Sequence, residues 1–222
     1  MNASRLIFIC GTDTDVGKTM TLGAIAAYLT AKKKDFCLFK PFESGPTQSD
    51  SLFLSRMTGN RLKVGNINFH HFTEALAPGI AAKRAGKKIN YAAVVKRIKT
   101  ATQKYTLIFI EGAGGLLVPL AGKKTNLDLI KDLQAEVLLV GRLELGTLNH
   151  THLTYDRLIQ ERIPVTGILL KQTQPKLSLA AKTNPRELHA LGLPLLGVIP
   201  YLKSTTAAAL VQTLPVKIKK LF

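Results

Sequence analysis

The sequence predicts an α/β fold: one domain over residues 1–222, built on a doubly wound, mostly parallel sheet with helices on both faces. Three observations carry that reading. Continuous apolar runs of strand length, LIFI at 107–110 and VLLV at 137–140, suit parallel strands buried on both faces. Such runs alternate with helix-like stretches from one end of the chain to the other, the pattern of repeated strand–helix units. A glycine turn joins the first run to the first helical stretch and ends in Lys-Thr.

In chain order, residues 6–10 form the first apolar run, closed by Gly11, and 18–31 have helical composition. Residues 36–40 read as the second strand. A helix is expected over 50–57, with Leu52, Phe53, Leu54 and Met57 as its apolar residues. Another is expected over 91–102, where Val94, Val95 and Ile98 recur at helical spacing. Strands at 107–110 and 137–140, a helix at 148–159 and strands at 165–170 and 195–199 complete the alternation. No internal repeat, low-complexity tract or Ser/Gly linker interrupts it. Open α/β sheets bind ligands at the carboxyl ends of their strands. A site is therefore expected in the loops after Cys10, Lys40, Ile110, Val140, Leu170 and Ile199.

Composition narrows the class. Of 222 residues, 46% are hydrophobic and only 6% aromatic, so the core is expected to be aliphatic. The apolar run near the N-terminus is too short for a signal peptide. No stretch approaches the roughly 18 apolar residues of a membrane-spanning helix. The cytoplasm is the expected location, with no membrane partner. Cys10 and Cys37 lie at or beside strand-like runs and read as inert core thiols; no paired Cys/His spacing predicts structural zinc. Lys and Arg number 31 against 14 Asp and Glu, a net charge of +17 that raises a nucleic-acid partner. The basic residues are dispersed, however, at 32–34, 83–88 and 217–220, with no interleaved aromatics. A solvated basic surface that attracts anionic substrates is the preferred reading.

The chemistry-bearing motif follows the first strand. Gly11-Thr-Asp-Thr-Asp-Val-Gly17-Lys18-Thr19 is close to the phosphate-binding pattern G-x-x-x-x-G-K-[ST], with one extra residue between the glycines. Backbone N–H groups at the turn and helix start face phosphates. Gly17 allows close approach, Lys18 reaches the outer phosphates and the Thr19 hydroxyl ligates Mg²⁺. This predicts a P-loop nucleoside triphosphatase. Such a loop needs an acid at a strand end for the metal, and Glu111 follows 107–110 directly, opening Glu111-Gly112-Ala113-Gly114-Gly115. The second strand ends in Lys40-Pro41-Phe42-Glu43-Ser44-Gly45, with Asp50 shortly after. Lys40 either meets a bound anion or sends its ammonium to solvent along an apolar stem, and the residues alone leave the two open.

GTDTDVGKT at 11–19, KPFESG at 40–45, EGAGG at 111–115 and LGTLNH at 145–150 resemble the dethiobiotin synthetases in sequence and in order. The resemblance runs to about residue 201 and weakens after 165. It implies a ligase of biotin synthesis that acts on diaminopelargonic acid, CO₂ and a nucleoside triphosphate. One amine of the substrate takes up CO₂, the carbamate is phosphorylated, and the neighbouring amine closes a cyclic urea. On that resemblance, Lys18 and Lys40 hold the carbamate against the γ-phosphate. Thr19, Asp50 and Glu111 hold Mg²⁺. Thr14 and Ser44 orient the amines or carbamate. Asp15, Val16, Gly17, Met20, Gly112, Ala113 and Gly114 surround the phosphates. The family forms homodimers, and Gly146, Thr147, Leu148 and Asn149 match the segment that binds the substrate carboxylate across the interface.

The base-reading region departs from the family pattern. Lys171-Gln172 stand where the family often has Asn-Asp, with Gln172 able to supply an amide from the next position, and Pro200, Tyr201 and Leu202 mark a second base and ribose region. The co-substrate is therefore expected to be ATP or another nucleoside triphosphate. Two other classes are weighed. A partitioning ATPase would carry a further lysine early in the loop, where Thr12, Asp13 and Thr14 stand. An amidase-type ligase would need a glutamine-hydrolysing domain, for which the sequence has no nucleophilic Cys.

Overall fold

The computed structural model describes residues 4–222. Strand β1 is Arg5–Gly11 and helix α1 is Lys18–Ala31. After β2 (Cys37–Phe39) and β3 (Phe42–Ser44) come α2 (Ser49–Met57), α3 (Val64–Ile67), β4 (His70–Phe72), α4 (Pro78–Arg84) and α5 (Tyr91–Thr100). Then follow β5 (Leu107–Gly115), β6 (Pro119–Ala121), β7 (Lys124–Thr125), α6 (Asn126–Leu133), β8 (Glu136–Arg142) and α7 (Thr147–Gln160). The chain closes with β9 (Val165–Lys171), α8 (Leu179–Ala190), β10 (Leu195–Ile199), α9 (Ala207–Thr213) and α10 (Val216–Lys219).

The main sheet has six strands in the order β10-β9-β8-β1-β5-β2, and every neighbouring pair is parallel. Its central strands are apolar because both faces are covered: Ile7, Phe8 and Ile9, Ile108 to Ile110, and Val137 to Val140 have no exposed surface. The chain leaves β1 through α1 toward β2, but leaves β5, β8 and β9 in the opposite direction across the sheet. Right-handed crossovers then put α1 on one face and α6, α7 and α8 on the other. The packing follows: α1 lies against α2 and α9, α5 against α6, and α7 against α8. The chain thus leaves β1 and its neighbour β5 toward opposite faces, which opens a crevice at their carboxyl ends, where such sheets bind ligands.

Most elements lie where the apolar pattern puts them, within a residue or two. Strand β5 is the exception that matters for function. Its apolar run ends at Ile110, yet the strand continues through Gly115, whose Cα partner in β1 is Gly11. Glu111 therefore sits inside a strand, not at the start of a glycine loop. Pairing with β1 at Glu111 and Gly115, with an irregularity between the two, holds a stretch that has little strand propensity of its own. The second strand is shorter than expected, ending at Phe39, and after Lys40-Pro41 the chain pairs again as β3 with β4. At the far end, Phe222 packs edge-on against Phe109, 5.2 Å between centroids, tying the C-terminus to the core. No helix among the described residues is long and apolar enough to cross a membrane.

Candidate active site

The crevice between β1 and β5 holds a cavity of about 570 Å³. Thr14, Asp15, Gly17, Lys18, Thr19 and Met20 line it from the first loop and α1, and Glu111, Gly112, Ala113 and Gly114 line it from β5. Lys40, Ser44 and Asp50 complete the wall opposite. Val16 is fully buried beneath the loop and anchors it to the core.

The loop is held open by backbone that only certain residues tolerate. Gly17 caps α1 at φ 96°, in the left-handed region, with no side-chain cap. A Cβ on Gly17 would also fall 2.5 Å from Lys171 Cγ. Asp15 adopts φ 56°, which Asp accepts better than most side chains. Asp13 ties the loop together. Its carbonyl accepts from Lys18 Nζ at 2.8 Å, and its carboxylate accepts from Thr14 N–H at 2.7 Å and from Arg142 Nη2 at 2.9 Å. Burial holds the Lys18 ammonium below the ordinary lysine range; Glu111 opposes that shift and Lys40 adds to it.

Lys40 is the centre of the site. Its side chain is 8% exposed, and Nζ donates to Asp50 Oδ2 at 2.5 Å, Glu111 Oε1 at 2.6 Å and Thr19 Oγ1 at 3.2 Å. The ammonium therefore does not reach solvent along its stem; two carboxylates meet it. Burial alone would lower its pKa, but Glu111 and Asp50 outweigh that and raise it. Thr19 Oγ1 also donates to Glu111 Oε1 at 2.6 Å. The three residues expected to bind a metal thus converge on one point, occupied by a cation of the protein. Glu111 has no exposed side-chain surface, and its Oε2 is buried without a hydrogen-bond partner among the described residues. Two carboxylates and a hydroxyl form a hard oxygen donor set, and an orphaned carboxylate oxygen beside them fits Mg²⁺. Ser44 Oγ is likewise buried without a partner.

Some residues escaped the sequence reading. Leu76, Ala77 and Pro78, at and before the start of α4, and Val118 after β5 line the cavity with apolar surface. They come from segments with no periodicity to mark them. Asn126 donates Nδ2 to the carbonyls of Ala113 and Gly115 at 2.8 and 2.7 Å, fixing the end of β5.

Other expected residues lie outside this cavity. Gly146, at φ 94°, caps α7; Thr147 is buried with its hydroxyl 3.1 Å from that of Thr151, Leu148 is half-buried and Asn149 is exposed. Lys171 ends β9 and lies against the phosphate loop at Gly17, Gln172 follows it, and Pro200, Tyr201 and Leu202 follow β10. Lys171 Nζ donates to the carbonyls of Gln172 and Pro200 at 2.6 and 2.9 Å. The Gln172 amide donates to Gln174 O at 2.7 Å and accepts from Tyr201 N–H at 3.2 Å. Its polar groups link loops, so the amide is not presented free to a base.

An all-parallel main sheet with a glycine-bounded loop between β1 and α1, a buried Lys followed by Thr at the helix start and an acid on the adjacent strand defines a P-loop nucleotide-binding protein. Comparison with known proteins is more specific. Residues 5–209 match the family model described as an AAA domain. An ATP-dependent dethiobiotin synthetase of Bacillus subtilis strain 168 is 35% identical over 207 residues, 91% of this chain and 90% of the relative. One from Bacillus licheniformis is 37% identical over 204 residues, 90% and 87% of the two chains. The chain belongs to the ATP-dependent dethiobiotin synthetase family, and its enzyme class is that of an ATP-using ligase. Among solved structures, the septum site-determining protein MinD of Pyrococcus horikoshii matches with a TM-score of 0.62 at 16% identity, over 98% of this chain and 96% of that one. A plasmid partition protein from Borrelia burgdorferi matches with a TM-score of 0.59 at 15% identity, over 99% and 100%. At those identities the likeness is one of fold.

Proposed function

We propose that this protein, acting as one domain, closes the ureido ring of dethiobiotin from diaminopelargonic acid and CO₂, with a nucleoside triphosphate and Mg²⁺, at the cavity around Lys40. The observation that carries this reading is the convergence of Thr19, Asp50 and Glu111 on the Lys40 ammonium beside the phosphate loop. Mg²⁺ held by those three residues would neutralise charge between the β- and γ-phosphates. Lys40, released from its carboxylates, turns to the carbamate. Lys18 leaves the Asp13 carbonyl for the γ-phosphate. The two ammoniums then flank the oxygen that bridges carbon and phosphorus as charge develops there.

The steps balance without a nucleophilic side chain. An amine adds to CO₂ and loses a proton, giving a carbamate. A carbamate oxygen attacks the γ-phosphorus and the nucleoside diphosphate leaves. The second amine attacks the carbamate carbon and loses a proton, phosphate departs with that oxygen, and the ring closes. Thr14 and the unpartnered Ser44 hydroxyl orient the amines and carbamate, and Leu76, Pro78 and Val118 offer an apolar wall to the aliphatic chain.

A second copy of the chain completes the site in this reading. Gly146 to Asn149 lie outside the cavity, while Leu145, the residue before them, is 82% exposed, apolar surface suited to a partner. Two buried free thiols suit a reducing compartment, the cytoplasm. The test is product formation. The protein is incubated with diaminopelargonic acid, bicarbonate, Mg²⁺ and each nucleoside triphosphate in turn, and dethiobiotin is sought by mass spectrometry. Dethiobiotin that requires all components supports the reading, and the ranking of triphosphates gives the base preference. Triphosphate hydrolysis without dethiobiotin overturns it.

A further inference from the structure

The start of α2 presents Asp50, yet α2 lacks a cap of its own. Its N-cap residue, Gln48, makes no side-chain capping bond. The first N–H groups of a helix have no partner within it, and leaving them buried and unpaired is unfavourable. Here the acceptor comes from another element. Glu43 of β3 accepts the Asp50 N–H at Oε1, 2.9 Å, and the Ser51 N–H at Oε2, 3.2 Å; the Ser51 hydroxyl also donates to Oε2. Glu43 is only 4% exposed and Ser51 is fully buried, so water does not substitute for these bonds. The carboxylate also faces the positive end of the helix dipole.

A second tie runs parallel to the first. Gln48 Nε2 donates to Asn68 Oδ1 at 3.2 Å, and Asn68 Nδ2 donates to the Lys40 carbonyl at 2.9 Å. The strand residue Glu43, three positions after Lys40, and this amide bridge therefore fix the first turn of α2 to the backbone that carries Lys40. The bonded N–H at the Glu43 end belongs to Asp50 itself. With its side chain 44% exposed, Asp50 has little packing of its own to hold its carboxylate within 2.5 Å of Lys40.

We propose that Glu43 is a positioning residue for the reaction: by capping α2 through the Asp50 N–H, it holds the Asp50 carboxylate in the metal- and Lys40-binding arrangement. This rests on the reading of Asp50 as a Mg²⁺ ligand. A partner that orients a metal ligand changes metal affinity by about 10–100-fold when removed. The test measures the Mg²⁺ concentration that half-saturates binding of a fluorescent, non-hydrolysable triphosphate analogue, which needs no turnover. Glu43→Ala is expected to raise that concentration about 10–100-fold and to leave KM for diaminopelargonic acid, at saturating Mg²⁺, unchanged. Glu43→Gln, which keeps an acceptor for the Asp50 N–H and a smaller change in fold stability, is expected to recover most of the affinity. In an Asp50→Asn background, Glu43→Ala is expected to add nothing, since its effect passes through Asp50. If Asp50→Asn raises the Mg²⁺ requirement but neither Glu43 variant does, or if the two effects simply add, the inference is wrong and the metal reading survives. If Asp50→Asn leaves the requirement unchanged, the metal reading falls, and this inference with it.

Discussion

Replacing Lys40 with Met keeps most of the apolar stem and deletes the charge. Glu111, with no exposed side-chain surface, then loses the cation 2.6 Å from Oε1 and keeps the Thr19 hydroxyl as donor and the Lys18 charge further off. Removing one partner of a buried ion pair typically costs about 3–5 kcal/mol. The Asp50 contact adds at most about 1 kcal/mol, because that carboxylate is 44% exposed and screened by water. Taking about 3 kcal/mol, and about 2–4 °C per kcal/mol for a chain of this size, the melting temperature should fall by roughly 6–12 °C. One further result follows from the same geometry. Glu111→Gln in the Lys40→Met background should recover much of the loss, since the uncompensated anion is gone. Thermal denaturation of the parent, Lys40→Met and the double variant at neutral pH is the assay. A Lys40→Met protein that melts with the parent at neutral pH would refute the reasoning.

Three more predictions rest on other parts of the molecule. Gly17→Ala should destabilise by at least about 1–2 kcal/mol, from the left-handed backbone alone, with more from the collision with Lys171; nucleotide affinity should drop with it, as read by calorimetry. Burial pushes the Cys10 and Cys37 thiols up to about 12 and about 11 from the ordinary 9.0. Both should resist alkylation in the folded protein. Above pH 9.0 the unfolded chain ionises while the folded one does not, so stability should decline between 9.0 and about 12 in denaturant titrations. Thr125 forms a reciprocal capping box with Asp128 at the start of α6, and Thr125→Ala should cost about 1 kcal/mol.

The sheet was legible because its central strands are buried on both faces and so read as unbroken apolar runs. What the sequence concealed was structure imposed by neighbours. Glu-Gly-Ala-Gly-Gly reads as a loop, and only pairing with β1 makes it the end of β5. Helix α6 begins with a Thr–Asp box in place of the commoner Ser/Thr–Glu signal, and α8 carries Pro185 in its interior, which reads as a break. In the site, Lys18, Thr19 and Glu111 stand out in the sequence because phosphate and metal chemistry asks for such groups at a helix start and a strand end, whereas the residues alone left Lys40 between two readings and Asp50 entered only through the family resemblance. Their mutual bonding was not. The four-way contact at Lys40 joins residues up to 92 positions apart, and sequence spacing carries no record of which carboxylate an ammonium chooses. The role of Glu43 was hidden for the same reason: a helix cap supplied from a strand has no local signature.

The central claim is that a carbamate oxygen attacks the γ-phosphate in the cavity around Lys40. Bicarbonate labelled with ¹⁸O tests it most directly. Diaminopelargonic acid, Mg²⁺ and ATP are mixed with the labelled bicarbonate, and the released phosphate is analysed by mass spectrometry before the label exchanges with water. The account predicts one labelled oxygen in each phosphate formed with dethiobiotin, and none released by Lys40→Ala. Phosphate without label, alongside labelled dethiobiotin, would mean that water and not the carbamate attacks the triphosphate, and would contradict the account.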